Sequence, residues 1–191
     1  MTQPSLLEVD WSKIPAPEDD GAAAHLVGMT IPPVSLRATN DTAVVLSELK
    51  GRTVVFGYPR TGEPGKIALV DDWDMIPGAR GCTPQTCAFR DLFAELKAAG
   101  ASHVFGLSTQ SNDYQTEMAS RLHLPFPVLS DEQLELVHTL DLPTMDVADL
   151  TMIRRMALII DDARITHVFY PVFPPDRNAG DVLEWLKNNP A

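Results

Sequence analysis

The sequence is poor in positive charge. Its 15 lysine and arginine residues are outnumbered by 26 aspartate and glutamate residues, which gives a formal net charge of −11. Nucleic-acid binding depends on basic side chains that neutralise phosphates, so this balance argues against an extended nucleic-acid surface. We therefore predict no nucleic-acid partner.

Long apolar runs are also missing. No stretch approaches the roughly 20 residues that a helix needs to cross a bilayer. The opening residues, MTQPSLLEVDWSKIPAPEDDG, lack the basic start, apolar segment and small-residue cleavage site of a secretory signal. We therefore predict no membrane partner and a cytoplasmic location.

Cysteine is scarce, with only Cys82 and Cys87 in the chain. Two cysteines cannot form a disulfide framework, and the five scattered histidines offer no ligand pair at zinc-like spacing. Neither a metal nor an organic cofactor is expected. In a reducing compartment a permanent disulfide is disfavoured, so the two cysteines are either inert core residues or reactive thiols.

The length and hydrophobic content indicate one domain. The chain has 191 residues, of which 45% are hydrophobic, enough for one full core. Prolines and a glycine interrupt any periodic pattern before residue 26. We therefore predict an N-terminal extension over residues 1–26 and an organised domain over residues 27–191.

Short apolar runs alternate with helical patterns along this domain. This order predicts an α/β fold with a mixed central sheet flanked by helices. The predicted strands cover residues 54–58, 103–108, 156–161 and 165–169, the last two as a hairpin with a turn at 161–162. The first predicted helix carries an apolar face from Phe89 to Leu96 and is ended by Gly100, and three more cover residues 113–122, 131–140 and 179–188.

The run GARGCTPQTCAFRD places both cysteines at a loop-to-helix junction. Cys82 is expected in the loop or first turn, and Cys87 at the start of the helix that carries Phe89. Free amide groups and the helix dipole would stabilise a thiolate at Cys82. In one intact helix the two residues would be about 7.5 Å apart along the axis, so a disulfide between them would require the first turn to unwind.

The run from Cys82 to Asp91 resembles the active-site segment of the peroxiredoxins of the Q type, also called bacterioferritin comigratory proteins. The likeness extends in order through IPPVSLRATNDTAVVLSELKGRTVVFGYPR, FGLSTQS, LPFPVLSDE and RMALIIDDARITHVFYPV. From the first piece to the last, the likeness spans residues 31–172, about three quarters of the chain. The resemblance implies a thioredoxin-like fold for residues 27–191.

The resemblance also implies a thiol peroxidase for hydrogen peroxide and organic hydroperoxides. Cys82 matches the peroxidatic cysteine, which is oxidised to a sulfenic acid. Cys87 matches the resolving cysteine, which closes an intramolecular disulfide that thioredoxin or a similar dithiol reopens. Arg155 matches the active-site arginine, whose guanidinium would stabilise the thiolate and the leaving oxygen. We therefore expect an atypical two-cysteine peroxiredoxin, as a monomer or homodimer.

Some positions depart from the family pattern. Ala79 stands where the family has a threonine or serine hydroxyl, which Thr83 could supply from the other side of the cysteine. Arg80 stands where the family has proline and is either a charge beside the thiol or a solvated loop residue. Arg90 matches an arginine of the family's helix. It is either part of the active site or an ordinary surface residue of the helix.

The sequence leaves open the roles of the two cysteines and a second function. The run from Thr83 to Cys87 weakly resembles that of another peroxiredoxin group, which would make Cys87 the nucleophile. A peroxide-responsive sensor or regulatory protein with little turnover is a second function, motivated by Ala79. The five-residue cysteine spacing disfavours a general disulfide oxidoreductase.

Overall fold

A mixed sheet of seven strands lies at the centre of the protein, for which a computed structural model describes residues 9–190. In chain order the elements are β1 (Ser35–Ala38), β2 (Ala43–Val45), β3 (Arg52–Gly57), α1 (Cys82–Asp91), α2 (Phe93–Ala98), β4 (His103–Ser108), α3 (Asn112–Arg121), β5 (Val128–Ser130), α4 (Glu135–Leu140), β6 (Thr144–Val147), β7 (Leu150–Ile153), β8 (Met156–Asp161), β9 (Arg164–Phe169) and α5 (Asn178–Asn188). The sheet order is β2-β1-β5-β4-β3-β8-β9, and β6 pairs with β7 separately.

Helices cover both faces of this sheet. Strand β3 pairs in parallel with β4 and antiparallel with β8, and all six of its residues are buried. Its side chains alternate between two apolar clusters, so that Val55 packs on the side of α4 and Phe56 on the side of α1, α2, α3 and α5. The predicted α/β fold with a helix-flanked mixed sheet is confirmed.

Most predicted elements are present with small changes at their ends. Strands β4 and β8 have the predicted bounds, and β9 completes the predicted hairpin, with its turn at Asp162 and Ala163. The predicted helices 113–122 and 179–188 each begin and end within one residue of α3 and α5. No helix among residues 9–190 combines the length and the apolar character needed to cross a membrane.

The helix predicted to begin near Cys87 and to end by Gly100 starts earlier than expected and is broken in the middle. Helix α1 already begins at Cys82, so Cys87 lies in its interior, and the helix stops at Leu92 before α2 begins. The apolar spacing of Phe89, Leu92, Phe93 and Leu96 continues across this break, so the pattern gives no sign of it.

The helix predicted from Asp131 is also shorter than expected, because it begins at Glu135. The carboxylate of Asp131 instead accepts hydrogen bonds from the backbone amides of Leu136 and Val137 at 3.1 and 2.8 Å. Asp131 therefore caps the first turn of α4 from outside the helix.

The described part of the N-terminal segment packs on the edge of the sheet and on the C-terminal region. Leu26 is fully buried in the cluster beside α4, and Thr30 forms a bridge with Arg164 of β9. Further toward the N-terminus, the indole of Trp11 donates a hydrogen bond to Asp176 over 2.9 Å. Residues 1–8 of the predicted extension lie outside the described residues.

Candidate active site

Cys82 is the first residue of α1, in the first turn as predicted. It follows Gly81, whose φ of +105° is in the left-handed region. The first amides of a helix lack intrahelical acceptors and lie at the positive end of its dipole. Since the Cys82 side chain is only 3% exposed, a thiolate here would be stabilised by the helix while remaining shielded from bulk water.

Arg155 reaches this thiol from the connection between β7 and β8. Its Nη2 donates to Cys82 Sγ over 3.2 Å, and the thiol donates to the Ala79 carbonyl oxygen over 3.6 Å. The same Nη2 lies 3.0 to 3.2 Å from the carbonyl oxygens of Gly78, Ala79 and Arg80. One buried guanidinium therefore holds both the thiol and the loop that precedes it.

A third buried side chain, Gln85, completes this arrangement. Its Oε1 accepts a hydrogen bond from Arg155 Nη1 over 2.5 Å, and the residue is fully buried. Sequence reasoning missed Gln85. Its position three residues after Cys82 on the same helical face was the available signal, because such residues are neighbours on a helix.

Cys87 has different surroundings within α1. Both cysteines are free thiols in this structure. Burial raises the pKa of the Cys87 thiol, which keeps it protonated and makes it a poor first nucleophile. This favours Cys82 over Cys87 as the residue that meets peroxide.

The residues that depart from the family pattern, or could compensate for it, lie close to Cys82 in sequence. Ala79 is fully buried and offers its carbonyl oxygen, not a hydroxyl, to Cys82 and Arg155. Thr83 is buried next to the thiol and lines the cleft described below. The guanidinium of Arg80 forms an ion pair with Asp74 at 2.9 and 3.0 Å, which offsets its charge near the site.

Arg90 lies at the other end of α1. It pairs with Asp91 at 2.8 Å and donates to the Leu122 carbonyl oxygen over 3.1 Å. It therefore connects the ends of α1 and α3 and is closer to Cys87 than to Cys82 along the helix. Of the two roles left open for it, the structure supports the one outside the site.

A cleft of about 530 Å³ opens onto the thiol. Cys82 and Thr83 lie on one wall, and the long connection between β3 and α1 forms much of the rest. The lining combines the apolar side chains of Ile67, Leu69 and Trp73 with charged ones of both signs, namely Arg60, Glu63, Lys66 and Arg80. The cleft can therefore admit a small oxidant from solvent to an otherwise buried sulfur.

The left-handed conformation at Gly81 predicts that a residue with a Cβ at this position destabilises the protein. A Cβ at this position would lie 2.6 Å from both Pro175 Cγ and the Trp11 ring. We expect Gly81→Ala to lower the free energy of unfolding by about 3 kcal/mol, because it adds backbone strain and a steric clash. Urea denaturation measures this change.

Gly180 provides the matched control. It lies inside α5 without a positive φ, and a Cβ added there would have nothing within 4 Å. Gly180→Ala should therefore raise the free energy of unfolding by roughly 0.5 to 1 kcal/mol. A Gly81→Ala protein as stable as the wild type would show that the close packing of Trp11 and Pro175 is not formed in solution.

Comparisons with known proteins agree with this geometry. The Redoxin family model matches residues 26–183. A putative chloroplastic peroxiredoxin Q of Oryza sativa subsp. indica is 32% identical over 165 residues, covering 84% of this chain and 66% of the rice protein. Peroxiredoxin Bcp of Escherichia coli strain K12 is 30% identical over 167 residues, covering 85% of this chain and 96% of its own.

Solved structures share the fold. Peroxidoxin BcpB of Mycobacterium tuberculosis superposes with a TM-score of 0.68 at 26% identity, covering 86% of this chain and 98% of its own. A mutant of PrxQ from Xylella fastidiosa gives a TM-score of 0.67 at 21% identity, covering 85% and 95% of the two chains. The thioredoxin-like fold expected from the resemblance is thereby confirmed.

Proposed function

This chain belongs to the redoxin family, in its peroxiredoxin Q group, and on that premise we propose that it is a thiol-dependent peroxidase for hydrogen peroxide and organic hydroperoxides. The observation that carries the proposal is the distance of 3.2 Å between Arg155 Nη2 and Cys82 Sγ at the start of α1. A permanent cation and a helix N-terminus meet at one sulfur, which favours its thiolate.

In the first step the Cys82 thiolate attacks the terminal oxygen of the hydroperoxide. An S–O bond forms, the O–O bond breaks, and the leaving oxygen takes a proton to become water or an alcohol. Arg155 Nε is buried and has no hydrogen-bond partner among residues 9–190, so one N–H of the guanidinium remains an unused donor. Thr83 follows Cys82 in the chain and lines the same cleft, so we propose its hydroxyl as a donor to the peroxide.

In the second step Cys87 acts as the resolving cysteine. Its thiol displaces water from the Cys82 sulfenic acid and forms an intramolecular disulfide, as in an atypical two-cysteine peroxiredoxin. Both residues belong to one continuous helix, so part of α1 unwinds to bring them together. A reduced dithiol such as thioredoxin then returns both cysteines to thiols and is itself oxidised.

Both thiols belong to one chain, so the proposed cycle needs no cysteine from a second subunit. It can therefore take place in a monomer or in a homodimer. A reducing compartment, for which we propose the cytoplasm, supplies the dithiol. We assign the chemistry to a domain of residues 27–191 and treat residues 1–26 as its N-terminal extension. The sensor alternative is not favoured, because the relatives carry peroxiredoxin names.

Trapping of the sulfenic acid tests the proposal. The Cys87→Ser variant is reduced and treated with about one equivalent of hydrogen peroxide and a sulfenic-acid reagent, and the adduct is located by peptide mass. We expect the adduct on Cys82, because the resolving thiol is absent and the sulfenic acid persists. The Cys82→Ser variant is the control, and there we expect Cys87 to remain unmodified under the same conditions.

The opposite result would reverse the two roles. An adduct on Cys87 in the Cys82→Ser variant, with Cys82 unmodified in the Cys87→Ser variant, would support Cys87 as the nucleophile. If neither thiol reacts, the protein is not a peroxidase.

A further inference from the structure

A line of buried hydrogen bonds continues from Arg155 beyond Gln85 to the first residue of α5. Gln85 Nε2 donates to Asn178 Oδ1 over 2.9 Å, and Asn178 is 1% exposed. The connected side chains are therefore Cys82, Arg155, Gln85 and Asn178, all of them buried. Neither the family resemblance nor the sequence pattern assigns a role to Asn178.

The direction of each hydrogen bond in this line is fixed by chemistry. A guanidinium has only donors, so Gln85 must present its carbonyl oxygen to Arg155. The amide nitrogen of Gln85 then points the other way and needs an acceptor, which Asn178 supplies through its carbonyl oxygen. With the Gln85 amide reversed, its NH₂ group would face the donors of Arg155 in a buried site, which is unfavourable.

The orientation of Gln85 matters because the guanidinium is planar and rigid. Its Nη1 is held by Gln85 over 2.5 Å, while its Nη2 contacts Cys82 Sγ over 3.2 Å. Fixing one nitrogen therefore fixes where the other lies relative to the sulfur. Nη2 also contacts three backbone carbonyl oxygens of residues 78–80, so without Gln85 the guanidinium is held only on its Nη2 side and can pivot about these contacts.

Asn178 is itself held in place by the C-terminal elements. A 3-10 turn over Pro175–Arg177 leads directly into α5. The Val182, Leu183 and Leu186 side chains of α5 pack in the apolar cluster that also contains Cys82 and Phe89. The oxygen that orients Gln85 is thus fixed by the docking of a whole helix.

We propose that Asn178 is a positioning residue for the peroxide reaction, acting through Gln85 on the placement of Arg155 against the Cys82 thiolate. The proposal rests on the peroxidase function proposed above. Among residues 9–190, the side chain of Asn178 hydrogen-bonds Gln85 and neither the thiol nor the guanidinium, so its proposed effect on the reaction is indirect.

The test measures sulfenic acid formation under single-turnover conditions, across a range of pH, for the wild type and three full-length variants. Asn178→Leu removes the acceptor oxygen, and Asn178→Asp retains an oxygen at that place. Asn112→Leu is the matched control, because Asn112 is likewise a buried first residue of a helix but belongs to α3. Circular dichroism and thermal unfolding confirm that each variant is folded.

We expect Asn178→Leu to slow sulfenic acid formation roughly 10- to 100-fold at neutral pH, as a misplaced catalytic group does. The midpoint of its pH profile should move upward, because the thiolate loses part of its contact with Arg155. Asn178→Asp should recover much of the rate, and Asn112→Leu should match the wild type. If Asn178→Leu does not fold, Asn178→Ala removes the same oxygen with less bulk and is subject to the same expectations.

A purely structural role predicts a different pattern. In that case Asn178→Leu would melt at a lower temperature but would keep the wild-type rate and pH midpoint, and the proposal would be overturned. If the wild type itself forms no sulfenic acid on Cys82, the proposed function fails first. The wild-type reaction therefore separates the failure of the function from the failure of the Asn178 proposal.

Discussion

Replacing Arg155 by methionine is expected to slow the reaction of Cys82 with hydrogen peroxide by roughly 100- to 1,000-fold, the range found when a preorganised donor is removed from a developing charge. Arg155 is the only cation in direct contact with the Cys82 sulfur among the described residues, at 3.2 Å. Methionine has a similar length but cannot donate hydrogen bonds. Stopped-flow measurement of the single-turnover rate tests this expectation.

The adjacent arginine offers a control with the same substitution. Arg154 pairs with Asp20 at 3.1 Å on the surface, and its side chain is 39% exposed. A surface ion pair contributes little, so Arg154→Met should keep the peroxide rate within about twofold of the wild type. Equal rates for the two variants would show that Arg155 has no part in the chemistry.

Arg155→Met should also destabilise the loop before α1. The carbonyl oxygens of Gly78, Ala79 and Arg80 lie 3.0 to 3.2 Å from Arg155 Nη2, whose two hydrogens they share with the Cys82 sulfur, and they would lose this donor. Of the three residues only Ala79 is fully buried, and one buried acceptor without a partner costs about 1 to 3 kcal/mol. The rate must therefore be compared on folded protein, at a temperature well below the unfolding transition of both variants.

Oxidation to the Cys82–Cys87 disulfide is expected to open the first turns of α1. An intact helix keeps the two Cα atoms farther apart than the ~7 Å that a disulfide allows. The hydrogen bonds from Gln85 N to Gly81 O and from Thr86 Oγ1 to Cys82 O would then be lost. Hydrogen–deuterium exchange should show amides of residues 85–89 losing protection on the order of 100-fold in the oxidised protein.

The Cys87→Ser variant is the control for this measurement. Treated with the same oxidant it forms no intramolecular disulfide, so its α1 amides should remain protected. The amides of β4 should be unchanged in both proteins, because this strand lies between β3 and β5. Full protection of α1 in a protein shown by mass to contain the disulfide would contradict the expected unwinding.

The position of Cys82 was predictable from the sequence because residues next to it in the chain determine it. Cys82 follows a glycine and begins an amphipathic helix, so its place at a helix N-terminus could be inferred from adjacent residues. Arg155 came only from the family resemblance, because nothing in its own surroundings connects it with a cysteine 73 positions earlier. Asn178 was missed for the same reason, since its hydrogen bond with Gln85 joins residues 93 positions apart. Gln85 itself lies only three positions after Cys82, so its omission was not due to distance along the chain.

The hairpin of β6 and β7 shows a different reason for a missed element. Its turn contains Ala148 and Asp149, both with positive φ. Such turns are recognised in sequences by Asn-Gly or Asp-Gly pairs, and this chain has neither there. The structure around the turn holds these residues in a conformation that their own preferences do not predict.

The long sequence separations within the site also bear on how the protein acquires reactivity during its synthesis. The ribosome releases Cys82 before it has made Arg155 or Asn178, which follow 73 and 96 positions later. Domains form their distant contacts only when the later segments become available. The nascent chain therefore lacks the Arg155 contact with the Cys82 sulfur, and the hydrogen-bonded support from Asn178 forms only once the C-terminal helix has emerged and docked.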